Sequence, residues 1–88
     1  MTASQLNCLI ELKRLSERTP DVASVRLTKS LNLSKPSVHR LLERLKNMGL
    51  VEKEYYGEAH LTREGELLAE KMLNQAAILS DKLERGIV

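Results

Sequence analysis

Apolar and polar positions divide this chain into four stretches with helical spacing and one short segment with strand-like character. The clearest pattern is Val38, Leu41, Leu42 and Leu45, which follows the i, i+3, i+4, i+7 spacing of a single buried helical stripe. The opposite side of that helix reads Pro36, Arg40, Glu43 and Asn47, flanked by Ser37, His39 and Arg44. Ahead of it, Leu27 and Leu31 lie one turn apart and predict a short helix over about residues 25–31. Asn32 then supplies one of the few non-glycine side chains comfortable at positive φ, which suits a sharp turn between two helices. Ser34 is a natural N-cap, and Pro36 is tolerated in a first turn, where its missing N–H has no intrahelical partner. Lys35, just before proline, is biased away from helical torsions, which blurs the start of the helix. Gly49 ends it in the C′ role.

The outer helices carry wider apolar surfaces. A first helix is predicted from a cap at Thr2 or Ser4 to about residue 18, where Thr19-Pro20-Asp21 stops it. Leu6, Leu9 and Ile10 lie together on it, with Cys8, Leu12 and Leu15 roughly opposite. A helix that is apolar on two faces is usually buried on both. Two short strands are predicted over 50–54 and 58–61, around Tyr55-Tyr56-Gly57. Thr62 can cap a last helix reaching about residue 83 or 85, with a main stripe of Leu68, Met72, Ala76, Leu79 and Leu83. Leu67 and Ile78 spill to one side of that stripe and Leu73 to the other. Gly65 in its first turn costs about 1 kcal/mol relative to alanine, a sign that close packing excludes a side chain there. The chain therefore reads as mainly α with a small β-hairpin. A helix-turn-helix occupies about 24–49, a hairpin about 50–61, and dimerisation elements about 2–18 and 63–85. Leu6, Leu9, Ile10, Met72, Leu79 and Leu83 are the expected dimer contacts.

Eighty-eight residues make one domain with a modest core, so assembly into a homodimer is a plausible source of further burial. With 42% hydrophobic and 30% charged residues, the composition fits a globular helical domain and argues against disorder. No apolar run approaches the roughly 18 residues of a membrane span. The first residues also lack the basic region and apolar core of a secretory signal. One cysteine forms no internal disulfide, which fits a reducing cytoplasm. The net charge of +2 hides an uneven distribution. Residues 1–25 balance, and residues 47–88 carry five basic and eight acidic side chains. Between them Arg26, Lys29, Lys35, Arg40, Arg44 and Lys46 face Glu43 alone, the electrostatic footprint of a nucleic-acid surface.

A short helix, a tight turn, a basic helix and a hairpin form the layout of a winged helix-turn-helix, whose second helix enters the major groove. Pro36, Ser37, His39 and Arg40 give that helix an outward face of modest bulk with hydrogen-bonding groups. Arg40 can present a bidentate fork to guanine, while Lys35, Arg44 and Lys46 suit phosphates. The Ser34 cap and the N–H groups at the helix start suit a phosphate as well. Tyr55 and Tyr56 are the only aromatics. One is expected on the core and the other, Tyr56, at DNA backbone or minor groove, with Lys53 in support.

The segments Leu33-Ser34-Lys35-Pro36-Ser37-Val38, Leu45-Lys46-Asn47-Met48-Gly49-Leu50-Val51 and Leu61-Thr62-Arg63-Glu64-Gly65 carry a resemblance. In them the chain looks like the DNA-binding domain of metal-dependent repressors of the diphtheria toxin repressor and manganese transport regulator type. That resemblance implies a homodimeric transcriptional repressor answering to manganese, iron or zinc. The family sets an acidic ligand and a glutamate one turn apart in its first helix. The matching positions here are Asn7 and Ile10, or Cys8 and Glu11 after a one-residue shift. A histidine expected in the fourth helix falls on Ala76.

From the residues alone, Cys8 and Glu11 at i, i+3 are weak metal candidates, since a lone cysteine on an apolar helix face is usually core. His39 reads as a polar reader of DNA or a solvated residue, and His60 as a partly exposed structural one. No nucleophile–base arrangement or phosphate-binding glycine loop stands out, so an enzyme is not expected. The alternative function is a winged-helix module that binds an acidic protein rather than DNA, and the modest net charge and outward-facing Glu43 speak for it.

Overall fold

The computed structural model describes residues 1–19, 21–53 and 57–86, with side chains of the last helix as far as residue 74. Its elements run α1 (Ala3–Ser16), β1 (Val22–Ala23), α2 (Ser24–Leu31), α3 (Lys35–Asn47), β2 (Val51–Lys53), β3 (Glu58–Leu61) and α4 (Arg63–Gly86). Tyr55 and Tyr56, with the roles expected of them, lie outside the described residues.

Local chemistry sets most of these boundaries. Thr2 caps α1 in a reciprocal box with Gln5: its hydroxyl accepts from the Gln5 amide, and the Gln5 side chain accepts from the Thr2 amide. Asn32 sits in the left-handed region at φ 54°, ψ 46°, and both it and Leu33 donate backbone N–H groups to the Thr28 carbonyl. Ser34 then opens α3, its hydroxyl accepting from the Ser37 amide at 3.3 Å. The helix includes Lys35 despite the following proline, because the Ser34 cap holds the first turn. At the other end Gly49, at φ 77°, lets the Leu50 N–H turn back to the Leu45 carbonyl at 3.0 Å.

One element escaped the periodicity. β1 is two residues long, too short to show a period, and pairs antiparallel with β3 through Val22 with Ala59 and Ala23 with Glu58. The sheet order is β1-β3-β2, with Val51 opposite Leu61 and Lys53 opposite Ala59. Alternation along these strands turns Val22, Val51, Ala59 and Leu61 inward.

The core gathers Cys8, Leu9 and Leu12 of α1, Leu27 of α2, and Val38, Leu42 and Leu45 of α3 with those strand residues, Leu50 and Ala69. Leu9 is fully buried within its own domain, so it is not available to a dimer face. Its side chain joins Cys8 and Leu12 because α1 packs on α2, α3 and the sheet at once, a wider contact than one stripe. Leu6 and Ile10 stay half-buried on the flank. On α4, among the residues whose side chains are described, Gly65 and Ala69 are buried against the domain, with Leu68, Met72 and Leu73 half-buried beside them. A Cβ on Gly65 would overlap the Leu50 carbonyl, whose carbon would lie only 2.9 Å away. Thr62 laces this junction, donating its hydroxyl to the Gly49 carbonyl at 2.6 Å and accepting from the Gly65 amide at 3.1 Å. The side chains of Ala76, Leu79 and Leu83 lie outside the described residues.

Candidate nucleic-acid interface

Helix α3 is anchored by its apolar back and exposed on its polar front. Val38, Leu42 and Leu45 are at most 1% exposed, whereas Lys35, Pro36, His39, Arg40, Arg44 and Lys46 are all exposed and Ser37 is half-buried. The front therefore carries most of the side chains expected to meet DNA. Leu41, counted in the buried stripe, is only half-buried, because it lies at the stripe's edge.

The front divides into two flanks. On one, Arg40 and Arg44 line an open groove of about 250 Å³ with Ser4, Leu33, Ser37 and Leu41, so α1 and the turn form its walls. On the other, the wing crosses over. Lys53 of β2 brings its Nζ to 2.8 Å from His39 Nδ1 and donates to Glu43 Oε1 at 3.1 Å. That hydrogen bond, reinforced by the ammonium charge, holds the Glu43 carboxyl below its ordinary range, so the one acid of α3 stays ionised and paired.

Lys53 is thereby withdrawn from the supporting contact with backbone or minor groove expected of it: its side chain is 17% exposed and engaged twice. Its partnership with His39 and Glu43 was missed from the sequence. The spacing of His39 and Glu43 at i, i+4 was visible, but only the return of the wing brings residue 53 between them. Two further cations leave the face. Arg26 and Lys29 line a separate groove of about 630 Å³ between α1 and α2, together with Glu11, Glu17, Arg14 and Arg18. The basic segment therefore does not act as one patch, because α2 directs its cations elsewhere than α3.

The weak metal candidates do not fit a ligand role. Cys8 is fully buried among leucines, and that burial pushes its thiol up to about 11, against the thiolate a metal requires. Glu11 instead accepts from the Ser30 hydroxyl at 2.7 Å and faces Arg14 at 3.9 Å. Among the described residues, no three His, Cys, Asp or Glu side chains gather as a metal set. His60 is half-buried, with Nε2 3.0 Å from Glu52 and Nδ1 3.2 Å from Asp21, a structural tie across the sheet.

Residues 12–54, just under half of the chain, match the IclR helix-turn-helix domain. A MarR family protein from Mycobacterium tuberculosis, solved in complex with DNA, superposes with a TM-score of 0.70 at 22% identity. That alignment covers 100% of this chain and 65% of that one. A MarR family protein from Bacillus stearothermophilus gives 0.74 at 20% identity, covering 96% of this chain and 60% of that one. The multiple antibiotic-resistance repressor (MarR) from Listeria monocytogenes gives 0.69 at 22%, covering 93% and 61%. A comparison with curated proteins finds no match.

The fold is a winged helix-turn-helix. This chain spans about 60–65% of the length of the solved chains it resembles. The likeness to regulators of the diphtheria toxin repressor type extends to this architecture, while the matches are to the IclR helix-turn-helix domain and, in fold, to MarR family structures. The metal-dependent part of that resemblance gains no support from them.

Proposed function

We propose that this chain is a cytoplasmic, sequence-specific DNA-binding transcriptional regulator that acts as a homodimer and represses its targets. The observation that carries this reading is the exposed front of α3, where several cations face one carboxylate and Lys53 already engages that carboxylate. A helix held by its apolar back with such a front matches what a major groove receives. Arg40 is assigned the fork to guanine, Lys35, Arg44 and Lys46 the phosphates, and His39 a base edge. Ser34, Pro36 and Ser37 form the close-approaching helix start, and Tyr56 is assigned to backbone or minor groove.

The DNA complex of the M. tuberculosis neighbour supports a DNA partner, and the L. monocytogenes neighbour's description as a repressor supports repression. Dimerisation rests on Leu6 and Ile10 at the flank of α1, on Leu67 standing 58% exposed, and on a 24-residue α4. Metal response is left out of the proposal because Cys8 faces the core. The competing reading, a protein-interaction module, draws on the modest net charge and on Glu43 facing outward; the pairing of Glu43 with Lys53 weakens the second of these grounds.

Binding-site selection from random duplexes, followed by mobility-shift titration, tests the proposal. A nanomolar, roughly palindromic site with half-sites about one helical turn apart is expected. Capture of duplexes without any sequence preference would reject it.

A further inference from the structure

His39 and Glu43 lie one turn apart on α3, and Lys53 reaches both, at 2.8 Å from Nδ1 and 3.1 Å from Oε1. An ammonium has three donors and no acceptor, so the ring nitrogen facing it must accept. A neutral imidazole that accepts at Nδ1 carries its proton on Nε2. We propose that Lys53 is a specificity-determining positioning residue: it fixes His39 in the Nε2–H tautomer, so the exposed ring offers DNA a donor and no acceptor. The inference deepens the DNA-binding reading above and rests on it. Glu43 completes the device by accepting from the same ammonium, which locates the Lys53 charge from two sides.

The consequence lies in the base code of the major groove. A donor-only ring pairs with N7 or O6 of guanine, N7 of adenine or O4 of thymine. Against cytosine it meets the N4 amino group, donor to donor. The base pair facing His39 is therefore selected against cytosine. The wing edits the helix's reading without itself touching that base.

Two measurements test this separately. In the first, long-range proton–nitrogen correlation spectra of the free protein are recorded well above the ordinary imidazole range. The wild type is expected to show His39 with a bare Nδ1 and a protonated Nε2. Lys53→Met is expected to give a mixture, and Lys53→Arg, which keeps a donor, to restore the wild-type pattern. A wild-type ring protonated at Nδ1, or a Lys53→Met ring identical to wild type, overturns the clamp whatever DNA does.

The second uses duplexes that the wild-type protein selects from a random pool. The position read by His39 is the one whose preference vanishes in His39→Ala. Discrimination against cytosine there is expected to fall about fivefold in Lys53→Met, the weight of one net hydrogen bond, and to survive in Lys53→Arg. A uniform loss of affinity for all four bases, with the salt slope lower by about one, overturns the proposal in favour of an ordinary phosphate contact. If no duplex is selected, base reading and the parent function fall together, while the spectra still judge the clamp.

Discussion

Arg40 and Lys35 are both exposed cations of α3, yet they should fail differently. Arg40→Ala is expected to cost about 1–3 kcal/mol on the preferred duplex and to relax preference at one base pair. Lys35→Ala is expected to weaken all duplexes alike and lower the salt slope by about one, measured by titration at several salt concentrations. Cys8 shows the reverse case, a reactive group made inert. Its thiol is pushed from 9.0 to about 11, so the fold favours the protonated form. The resulting stability is fully present below pH 9 and is lost as pH rises through about 11. The loss is on the order of 2–3 kcal/mol. Denaturation midpoints should stay flat to about pH 9 and then fall, and Cys8→Ala should flatten that fall. Residue type announced Cys8 as core, but Leu9 was misjudged. Periodicity gives the angle around a helix axis; it does not say how much of the circumference neighbours cover.

Elements here depend on junctions as much as on their own propensities. Asn32 shows a local signal that was sufficient: its short polar side chain tolerates the φ of 54° that the turn demands. Asn32→Ala is expected to cost about 1–2 kcal/mol in chemical denaturation, whereas Asn32→Gly should be near neutral. Gly65 shows two effects in opposition. Alanine would stabilise the first turn of α4 by about 1 kcal/mol of helix propensity. The added Cβ would overlap the Leu50 carbonyl, a backbone atom that cannot rotate aside. Overpacking of this kind typically costs about 1–3 kcal/mol, so Gly65→Ala is expected to destabilise on balance. A rise in the unfolding midpoint would contradict that contact. The sequence hinted at close packing here, but not at its partner. The two-residue β1 gave no hint, since its strand character comes from pairing with β3 and not from an internal pattern.

The whole molecule keeps two apolar surfaces with different fates. The inner one closes the core, so Leu9→Ala is expected to cost about 2–5 kcal/mol of folding stability. The outer one, with Leu6 and Ile10, is assigned to a second copy. A Leu6→Lys, Ile10→Lys double variant is therefore expected to sediment as a folded monomer with an unchanged helical spectrum, and the wild type as a dimer. A monomeric wild type would remove the homodimer from the proposal. What the amino-acid order settled alone was local: helix phases, the Ser34 cap, the left-handed turn at Asn32, and the polar front opposite Val38, Leu42 and Leu45; between Thr2 and Ser4 as the first cap it left the choice open. These follow from torsional preference and from the 3.6-residue period, which act over neighbouring residues. Only the tertiary structure decided which charges share a surface. It turned Arg26 and Lys29 toward α1, brought Lys53 back onto His39 and Glu43, and drew Leu9 inward. The physical reason is that such contacts join residues distant in sequence, and they exist only once the hydrophobic core has set the angles between helices and wing.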